Sequence, residues 1–592
     1  MAHSSDNAKP LAVRRSTVHA PQDLAALVAD ERTVCLLVLP FSPQARGQAV
    51  RSEWVSGLKS LAEKAHKDAV IAVLTTPEAA AALWPGVEGQ LHFQLWISVK
   101  LRWAVRPPGG LPAHHVALLV LTKYRGSLRH TTTRIAYTFC PYCDRTTKDY
   151  GGKKHTYHSY GTLMSDVWRD IDCDPDVFPK EVVARLADLF GLPPYQNLDV
   201  IDMSRLDVMG PPLAPAATPA PTARPIVMPA AESVLLNGDC LSALREIPDD
   251  SVDFCFADPP YNLKKKYDNW NDGRDIRQYF EWCDAWLGEM ARVLKPGRTL
   301  AVVNIPLWAI RHFTYLRTVL KYQAWTVWEG LSLPVRMVMP AHYSIVCFAK
   351  GIPRVPPGYS GPHPSEFEAE SLNTLKEFYC LRQDCVRARR LAKHQDTEPL
   401  SDLWWDIHRL KHNSRRVDHP CQLPPALMRR LIALFTAEGE LVLDPFNGAG
   451  TTTLAAEQLG RRFIGIELSP AYHELATRRH ADLRAGLDPF AKTSRVPKAK
   501  NSNVKRLVKQ QYAVPKKQLQ LEVRRIARLL GKLPTREDVM RMGRYPIDYY
   551  DRYFISWGEV CAAARHAGMS ETREPAARQA CRSQALLFDP DA

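Results

Sequence analysis

Nowhere in the 592-residue chain does an uninterrupted apolar run approach the roughly 20 residues that a membrane-spanning helix needs, and the opening Met-Ala-His-Ser-Ser-Asp has no apolar signal core. A cytoplasmic protein with no membrane partner is expected. A disulfide framework is also missing. Thirteen cysteines, an odd number scattered through a long chain, read as reduced thiols. Core-forming material is not short: 45% hydrophobic and 24% charged residues exclude a wholly disordered or collagen-like chain. The length predicts several domains.

Two things are plentiful. One is proline, 46 residues with a dense block at 210–231 (GPPLAPAATPAPTARPIVMPAA) that cannot build a core and reads as an extended tether. The other is positive charge, +15 overall, which favours a polyanionic partner. From residue 491 onward stand 21 Lys and Arg against 10 Asp and Glu, so a surplus of 11 sits in the last sixth of the chain. A merely solvated tail is the plain alternative.

These shifts predict the organisation. Residues 1–30 are polar and aperiodic and are expected to be disordered; 31–209 are globular, with strand-like runs such as Val34 to Leu39 and Val116 to Leu121. After the 210–231 linker a second globular unit spans 232–490, followed by a basic linker at 491–517, a small helical unit at 518–568 and a tail at 569–592.

The clearest passage closes the second unit. Leu441 to Asp444 is a buried-strand pattern, Pro445-Phe446-Asn447-Gly448-Ala449-Gly450 a glycine turn, and Thr451 to Leu459 a helix stopped by Gly460. Phe463 to Glu467 is the next strand. An acid closing that strand can accept both hydroxyl hydrogens of a ribose, so a nucleoside cofactor is preferred over a structural turn. Upstream, the strand Val252 to Ala257 ends in Asp258-Pro259-Pro260-Tyr261. Two prolines stiffen the backbone and remove two N–H donors, leaving carbonyls to accept elsewhere. Asp258 adds a carboxylate and Tyr261 a flat face, a cradle suited to a planar ring with an exocyclic NH₂. An ordinary strand-to-loop turn is the competing reading.

Together these passages resemble the DNA amino-methyltransferases that use S-adenosyl-L-methionine. The DPPY of 258–261 matches the family's catalytic motif and the DPFNGAG of 444–450 its cofactor motif, in the order of the permuted β group. The 419–424 segment (HPCQLP) and Asn237-Gly238-Asp239-Cys240 stand where further cofactor-side motifs are expected, with Cys421 and Leu423 replacing the more usual Thr and Lys. The resemblance covers about 230–480. It implies an α/β, Rossmann-like fold, with Asp258, Pro259, Pro260 and Tyr261 catalytic. Asp239, Asp444, Phe446, Gly448, Gly450, Thr451 and Glu467 would bind the cofactor. It further implies double-stranded DNA as partner, a flipped target base, and N6 of adenine as the acceptor, since Asp heads the motif. N4 of cytosine, or a non-catalytic DNA-binding subunit, are the alternatives. No nuclease motif is visible, so restriction would come from a separate nuclease. Residues 351–416, with Arg387, Arg389, Arg390, His412, Arg415 and Arg416, are the expected phosphate-contacting region.

The first half hides a repeat of the second. Met164 to Ile171 (MSDVWRDI) parallels Leu400 to Ile407 (LSDLWWDI), and 179–190 (PKEVVARLADLF) parallels 424–435 (PPALMRRLIALF). Pro112-Ala113-His114 before Lys123 parallels Pro340-Ala341-His342 before Lys350, and Cys140-x₂-Cys143 lies where Cys380-x₄-Cys385 lies. Residues 31–209 are therefore expected to be a degenerate methyltransferase-like copy. Leu39-Pro40-Phe41-Ser42 stands opposite DPPY and Val200 to Ser204 opposite the glycine turn. An intrachain pseudo-dimer is expected, a homodimer being the other arrangement. The cysteines leave the metal question open. Cys140, Cys143, His155 and His158 come near a zinc-finger spacing, Cys140 and Cys143 could instead meet Cys380 and Cys385, and unliganded buried thiols are the third option.

Residues 519–568 read as short helices, with Thr535-x-x-Asp538 and Ser556-x-x-Glu559 as capping signatures. They resemble the helical repeat associated with homing endonucleases, which implies a DNA-binding module; a helical oligomerisation module is the alternative.

Overall fold

The structure, a computed structural model, describes residues 12–20, 23–24, 33–40, 48–50, 52–105, 111–124, 128–130, 133–135, 139–140, 142–146, 162–175, 177–191, 195–204, 209–212, 233–263, 273–330, 338, 340–356, 373–374, 380, 382–392, 397–398, 400–407, 422–490, 516–554, 556–561 and 581–582. Two large sheets dominate. The first contains β1 (Ala12–Thr17), β2 (Thr33–Val38), β3 (Val70–Thr75), β4 (His92–Val105), β5 (Ala113–Thr122), β6 (Val167–Cys173) and β7 (Asn197–Asp202), in the order β1-β7-β2-β3-β5-β4-β6. The second contains β8 (Val234–Asn237), β9 (Val252–Ala257), β10 (Leu294–Asn304), β11 (Lys321–Trp328), β12 (Tyr343–Ala349), β13 (Leu403–Trp404), β14 (Leu441–Asp444) and β15 (Arg462–Glu467). Its order is β8-β15-β14-β9-β10-β12-β11-β13.

Strand by strand, the first sheet has the order of the second with β15 left out. The polarity agrees too: β5 is antiparallel to both of its neighbours, as β12 is, and the remaining pairs are parallel. Strands buried on both faces need apolar residues at every position, which is why β2 (TVCLLV) and β9 (VDFCFA) carry near-continuous hydrophobic runs. Alternate residues serve different cores. Cys35 and Leu37 of β2, with Cys255 and Ala257 of β9, enter one core shared by the two halves. Val34, Leu36 and Val38 face a core closed by α3 (Lys180–Leu189), while Phe254 and Phe256 face another closed by helix Pro425–Phe435.

The shared core is filled by α1 (Ser52–Lys64) and α2 (Pro77–Val87) from the first half, and by α4 (Cys240–Arg245), α5 (Ile276–Val293) and α6 (Pro306–Val319) from the second. Contacts across it are reciprocal. Trp96 stacks on Trp325 with ring centroids 4.7 Å apart. Asp402 accepts from His114 N–H (2.7 Å) and lies 3.0 Å from His115 Nδ1; Asp166 accepts from Ala341 N–H (2.8 Å) and lies 3.0 Å from His342 Nδ1. Within each half the repeated motif builds the same bracket. Arg185 grips Asp170 and Arg430 grips Asp406, each with two nitrogens, and each guanidinium lies 5.2 Å from the ring of Trp168 or Trp404.

Two expectations need correction. Residues 12–17, placed in a disordered N-terminus, form edge strand β1, held by its backbone pairing to β7 and by the ion pairs Arg14–Asp199 and Arg15–Asp202. All six side chains are exposed, so the segment AVRRST carries no apolar periodicity by which to recognise it. Met209–Pro212, whose last three residues open the linker, pairs with residues 48–50; residues 213–232 lie outside the described residues.

After the second sheet, α7 (Gln383–Leu391) comes from the segment between β12 and β13, α8 is Pro425–Phe435, α9 Thr451–Gln458 and α10 Pro470–Arg484. The C-terminal unit packs α11 (Lys516–Leu530), α12 (Arg536–Met542), α13 (Ile547–Tyr553) and α14 (Trp557–Val560) around Val523, Ile526, Val539 and Tyr550. Thr535 and Asp538 form the expected capping box, and Ser556 caps the following helix through Glu559 N–H.

Candidate active site

Parallel strands β14 and β9 are neighbours, with Phe254 opposite Val442 and Cys255 opposite Leu443. Their carboxyl ends therefore deliver Asp444 and Asp258 to one crevice edge, the place where open α/β sheets bind ligands. On the far side of β14, β15 brings in Glu467, and β8 brings Asn237 into register opposite Glu467.

The loop after β14 is built by its own sequence. Asp444 Oδ1 accepts from Phe446 N–H (2.9 Å), turning the chain. Gly448 and Gly450 take φ of 50° and 82°, the left-handed region that glycine enters at little cost. Gly448 N–H donates to Glu467 Oε2 and Ser469 N–H to Oε1, each at 2.8 Å. A carboxylate has about four acceptor positions, so both oxygens keep capacity for further donors. A ribose diol offers two such donors, and the residues present fit that group. Phe446 is fixed edge-on against Trp286 (5.0 Å) and Trp282 (5.7 Å) from α5, so its ring is a rigid wall. Thr451 begins α9 and is buried. Asp239 caps α4 through Ser242 N–H (3.0 Å) and sits two residues beyond Asn237, whose Nδ2 donates to the Glu467 carbonyl.

Charge is concentrated here. Burial pushes the Asp444 carboxyl up to about 7, although Thr452 and Phe446 N–H donate to it; the negative charges of Asp258 and Glu467 add to the rise. Burial also holds the Glu467 carboxyl above its ordinary value against its backbone donors. Three carboxyl groups sharing one crevice favour a cationic ligand.

Gly450 is also constrained by the fold itself. A Cβ there would meet Ala476 Cβ at 3.0 Å, so the residue is required by its backbone conformation and by the close seat of α10. Gly465, which the motif reading passed over, also demands a small residue. Its Cβ would fall 2.8 Å from the Asn447 side chain and from Thr453 Cγ2. An isolated glycine inside a strand pattern is the usual sign of such an approach. Asn447 then accepts from Thr453 Oγ1 (3.0 Å), which His480 Nε2 meets at 2.9 Å.

The 258–261 motif is held from three sides. Tyr261 donates from its hydroxyl to Asp258 Oδ1 (2.9 Å) and is only 8% exposed, packed with Ile305 and Trp308 and tilted against Tyr343. Tyr279 hydroxyl donates to the Pro260 carbonyl (2.7 Å) and Trp308 Nε1 to that of Tyr261 (2.8 Å). Neither takes the Pro259 carbonyl. Tyr279 and Trp308 were not singled out from sequence, because a buried aromatic on a helix reads as core until the loop it braces is known.

Elsewhere the expected residues divide. Arg389, expected at phosphates, is fully buried and donates to the Cys380 carbonyl (2.9 Å), whereas Arg387 is exposed. His412, Arg415, Arg416 and the 419–421 part of the HPCQLP segment lie outside the described residues, as do His155 and His158. Cys140 and Cys143 do meet Cys380 and Cys385. Among the described residues no helix is long and apolar enough to cross a membrane.

Residues 252–478 match the family model described as DNA methylase, and residues 514–565 that of the homing endonuclease associated repeat. The chain is 36% identical over 238 residues to the Type II methyltransferase M.BamHI of Bacillus amyloliquefaciens, covering 40% of this chain and 54% of that protein. To the Type II methyltransferase M.HpaI of Haemophilus parainfluenzae it is 28% identical, covering 47% and 83%. The chain thus spans about half the length of the first relative. Among solved structures it is similar to a DNA modification methylase of Thermus thermophilus complexed with S-adenosyl-L-methionine (23% identity, TM-score 0.29, 42% of this chain and 93% of that one). It is also similar to the PvuII DNA methyltransferase described as cytosine-N4-specific (19% identity, TM-score 0.30, 42% and 87%).

Proposed function

We propose that this chain, which carries a DNA methylase domain in residues 252–478, transfers a methyl group from S-adenosyl-L-methionine to the exocyclic N6 amine of an adenine flipped out of double-stranded DNA. The observation that carries the reading is the meeting of two motifs at adjacent strand ends: an acceptor-rich cradle at Asp258 to Tyr261, and an anionic, glycine-turned loop ending on Glu467. S-adenosyl-L-methionine supplies an activated methyl group on a sulfonium cation. Glu467 holds the ribose hydroxyls, Phe446 walls the adenosine, and Asp444 offers negative charge to the cationic end. Asp258 and the Pro259 carbonyl accept hydrogen bonds from the target amine and aim its lone pair, so positioning supplies most of the rate. Asp258 need not be a strong base, because the nitrogen gives up its proton readily once it bears the methyl group. Adenine is preferred because an aspartate heads the motif.

The first half is read as a degenerate copy that grips DNA in an intrachain pseudo-dimer. Support comes from the shared strand order, the matched Arg185 and Arg430 brackets, and the fate of Asp202. This counterpart of Asp444 turns its loop through Ser204 N–H in the same way, but Arg15 neutralises it from β1, the strand that stands where β15 would be. The helical module and the basic stretch before it are read as further DNA contacts, and a separate restriction nuclease as the partner. The test is incubation of DNA with purified protein and labelled cofactor, followed by nucleoside mass spectrometry. N6-methyldeoxyadenosine is expected. N4-methyldeoxycytidine would move the acceptor to cytosine, and no methylated nucleoside on any DNA would overturn the enzyme reading.

A further inference from the structure

We propose that Cys140, Cys143, Cys380 and Cys385 form a mononuclear, tetrathiolate zinc site that ties the first half of the chain to the segment between β12 and β13 of the second. The four sulfur atoms all lie within 4.8 Å of one another, and Cys143 Sγ is 3.8 Å from Cys380 Sγ. Four thiolates around one zinc at about 2.3 Å define a tetrahedron whose edges are about 3.8 Å. A disulfide would bring two of the sulfurs to about 2.05 Å, and no pair in the group is bonded. In an iron–sulfur cluster the four thiolates are divided among two or four irons, which spreads sulfurs on different irons further apart than this. The spacings, Cys-x₂-Cys and Cys-x₄-Cys, are those of ligand pairs in structural zinc sites.

Among the described residues, Cys140, Cys380 and Cys385 form a buried cluster of their own, with Tyr142 and Cys143 packed on it. Cys140 ends one strand of a short hairpin, where it pairs with Arg145, and Cys143 lies in the turn that Asp144 closes at φ 56°. That turn directs the N–H groups of Tyr142 and Cys143 at Cys140 sulfur. Cys385 lies in the first turn of α7, where the helix dipole favours negative charge. One turn later Arg389, fully buried, donates to the Cys380 carbonyl, a cation bound to the backbone of one ligand of a centre that would carry two net negative charges. The two cysteine pairs occupy equivalent places in the repeated halves, so the ion would sit between corresponding segments.

Metal analysis of the purified full-length chain, prepared without chelator, is expected to give about one zinc per chain, and X-ray absorption four sulfur neighbours at about 2.3 Å. Cobalt(II) exchanged into the site should show the visible bands of a tetrahedral thiolate centre. Cys143→Ser and Cys385→Ser should each lose most of the zinc. The absorption measurement on the unaltered protein decides the matter if either variant fails to fold. Substoichiometric zinc with all four thiols readily alkylated, iron in place of zinc, or a disulfide among these residues in peptide mapping would each overturn the proposal.

Discussion

Glu467→Gln tests the cofactor end of the crevice with almost no change of shape. In the folded chain Glu467 Oε2 accepts from Gly448 N–H and Oε1 from Ser469 N–H, both at 2.8 Å. A glutamine keeps one acceptor, but its NH₂ group must then face one of those two donors. The opposed N–H loses its partner, at about 1–3 kcal/mol if it stays buried, and this penalty falls on free and liganded protein alike. What separates the two states is the ribose. One of its hydroxyls now meets a donor instead of a charged acceptor, a loss of about 1.5–3 kcal/mol. Affinity for S-adenosyl-L-methionine should therefore fall roughly ten- to a hundred-and-fifty-fold. Calorimetric titration with the cofactor and with S-adenosylhomocysteine reads this directly, since both carry the same ribose and should weaken together. Thermal unfolding of the ligand-free variant confirms that the loop is retained. An affinity within about threefold of the parent, well under 1 kcal/mol, would refute the assignment of Glu467 to the ribose.

Asp258→Ala should lower methyl transfer at least about a hundredfold through lost positioning while cofactor affinity changes little, because Glu467 and Asp258 reach the crevice from different strands; retention of most activity in steady-state assays would remove Asp258 from the mechanism. Asp444, with its carboxyl pushed up to about 7, contributes stability that is fully present below the ordinary carboxylate range and lost as pH rises through 7. The ligand-free protein should lose thermal stability relative to Asp444→Asn between pH 5 and pH 8. Cofactor binding should strengthen with pH up to about 7, by at most about tenfold per pH unit, and this slope should vanish in Asp444→Asn. Gly450→Val should cost about 1–3 kcal/mol of stability from its φ of 82° and its clash with Ala476, read in denaturant unfolding; a stable variant that had lost only cofactor affinity would return Gly450 to the ligand. Deleting residues 491–592 should leave the catalytic unit folded, since Phe490 still covers Arg479 and the Pro489 carbonyl still accepts from it. DNA binding should weaken with a shallower salt dependence, the slope of log K against log salt falling by about one per lost phosphate contact. An unchanged slope would reduce the basic stretch to a solubilising tail.

The sequence by itself determined the local chemistry: an aspartate and two prolines closing one strand, a glycine turn and an acid closing a βαβ unit, and a repeat legible through Ser-Asp-x-Trp and its arginine helix. Each of these depends on neighbours a few residues away, and local geometry follows from residue type. What only the tertiary structure decided depends on segments far apart in the chain. Edge strand β1 has no apolar face, so its place rests on backbone pairing and two arginine–aspartate contacts with a strand 185 residues away. Gly450 must lack a Cβ because α10 seats Ala476 against it, and Gly465 is small because Asn447 must seat beside it. Arg389, one cation in a basic run, is buried behind Cys380. The four cysteines meet across a chain separation of 237 residues between Cys143 and Cys380, which no spacing within either pair fixes.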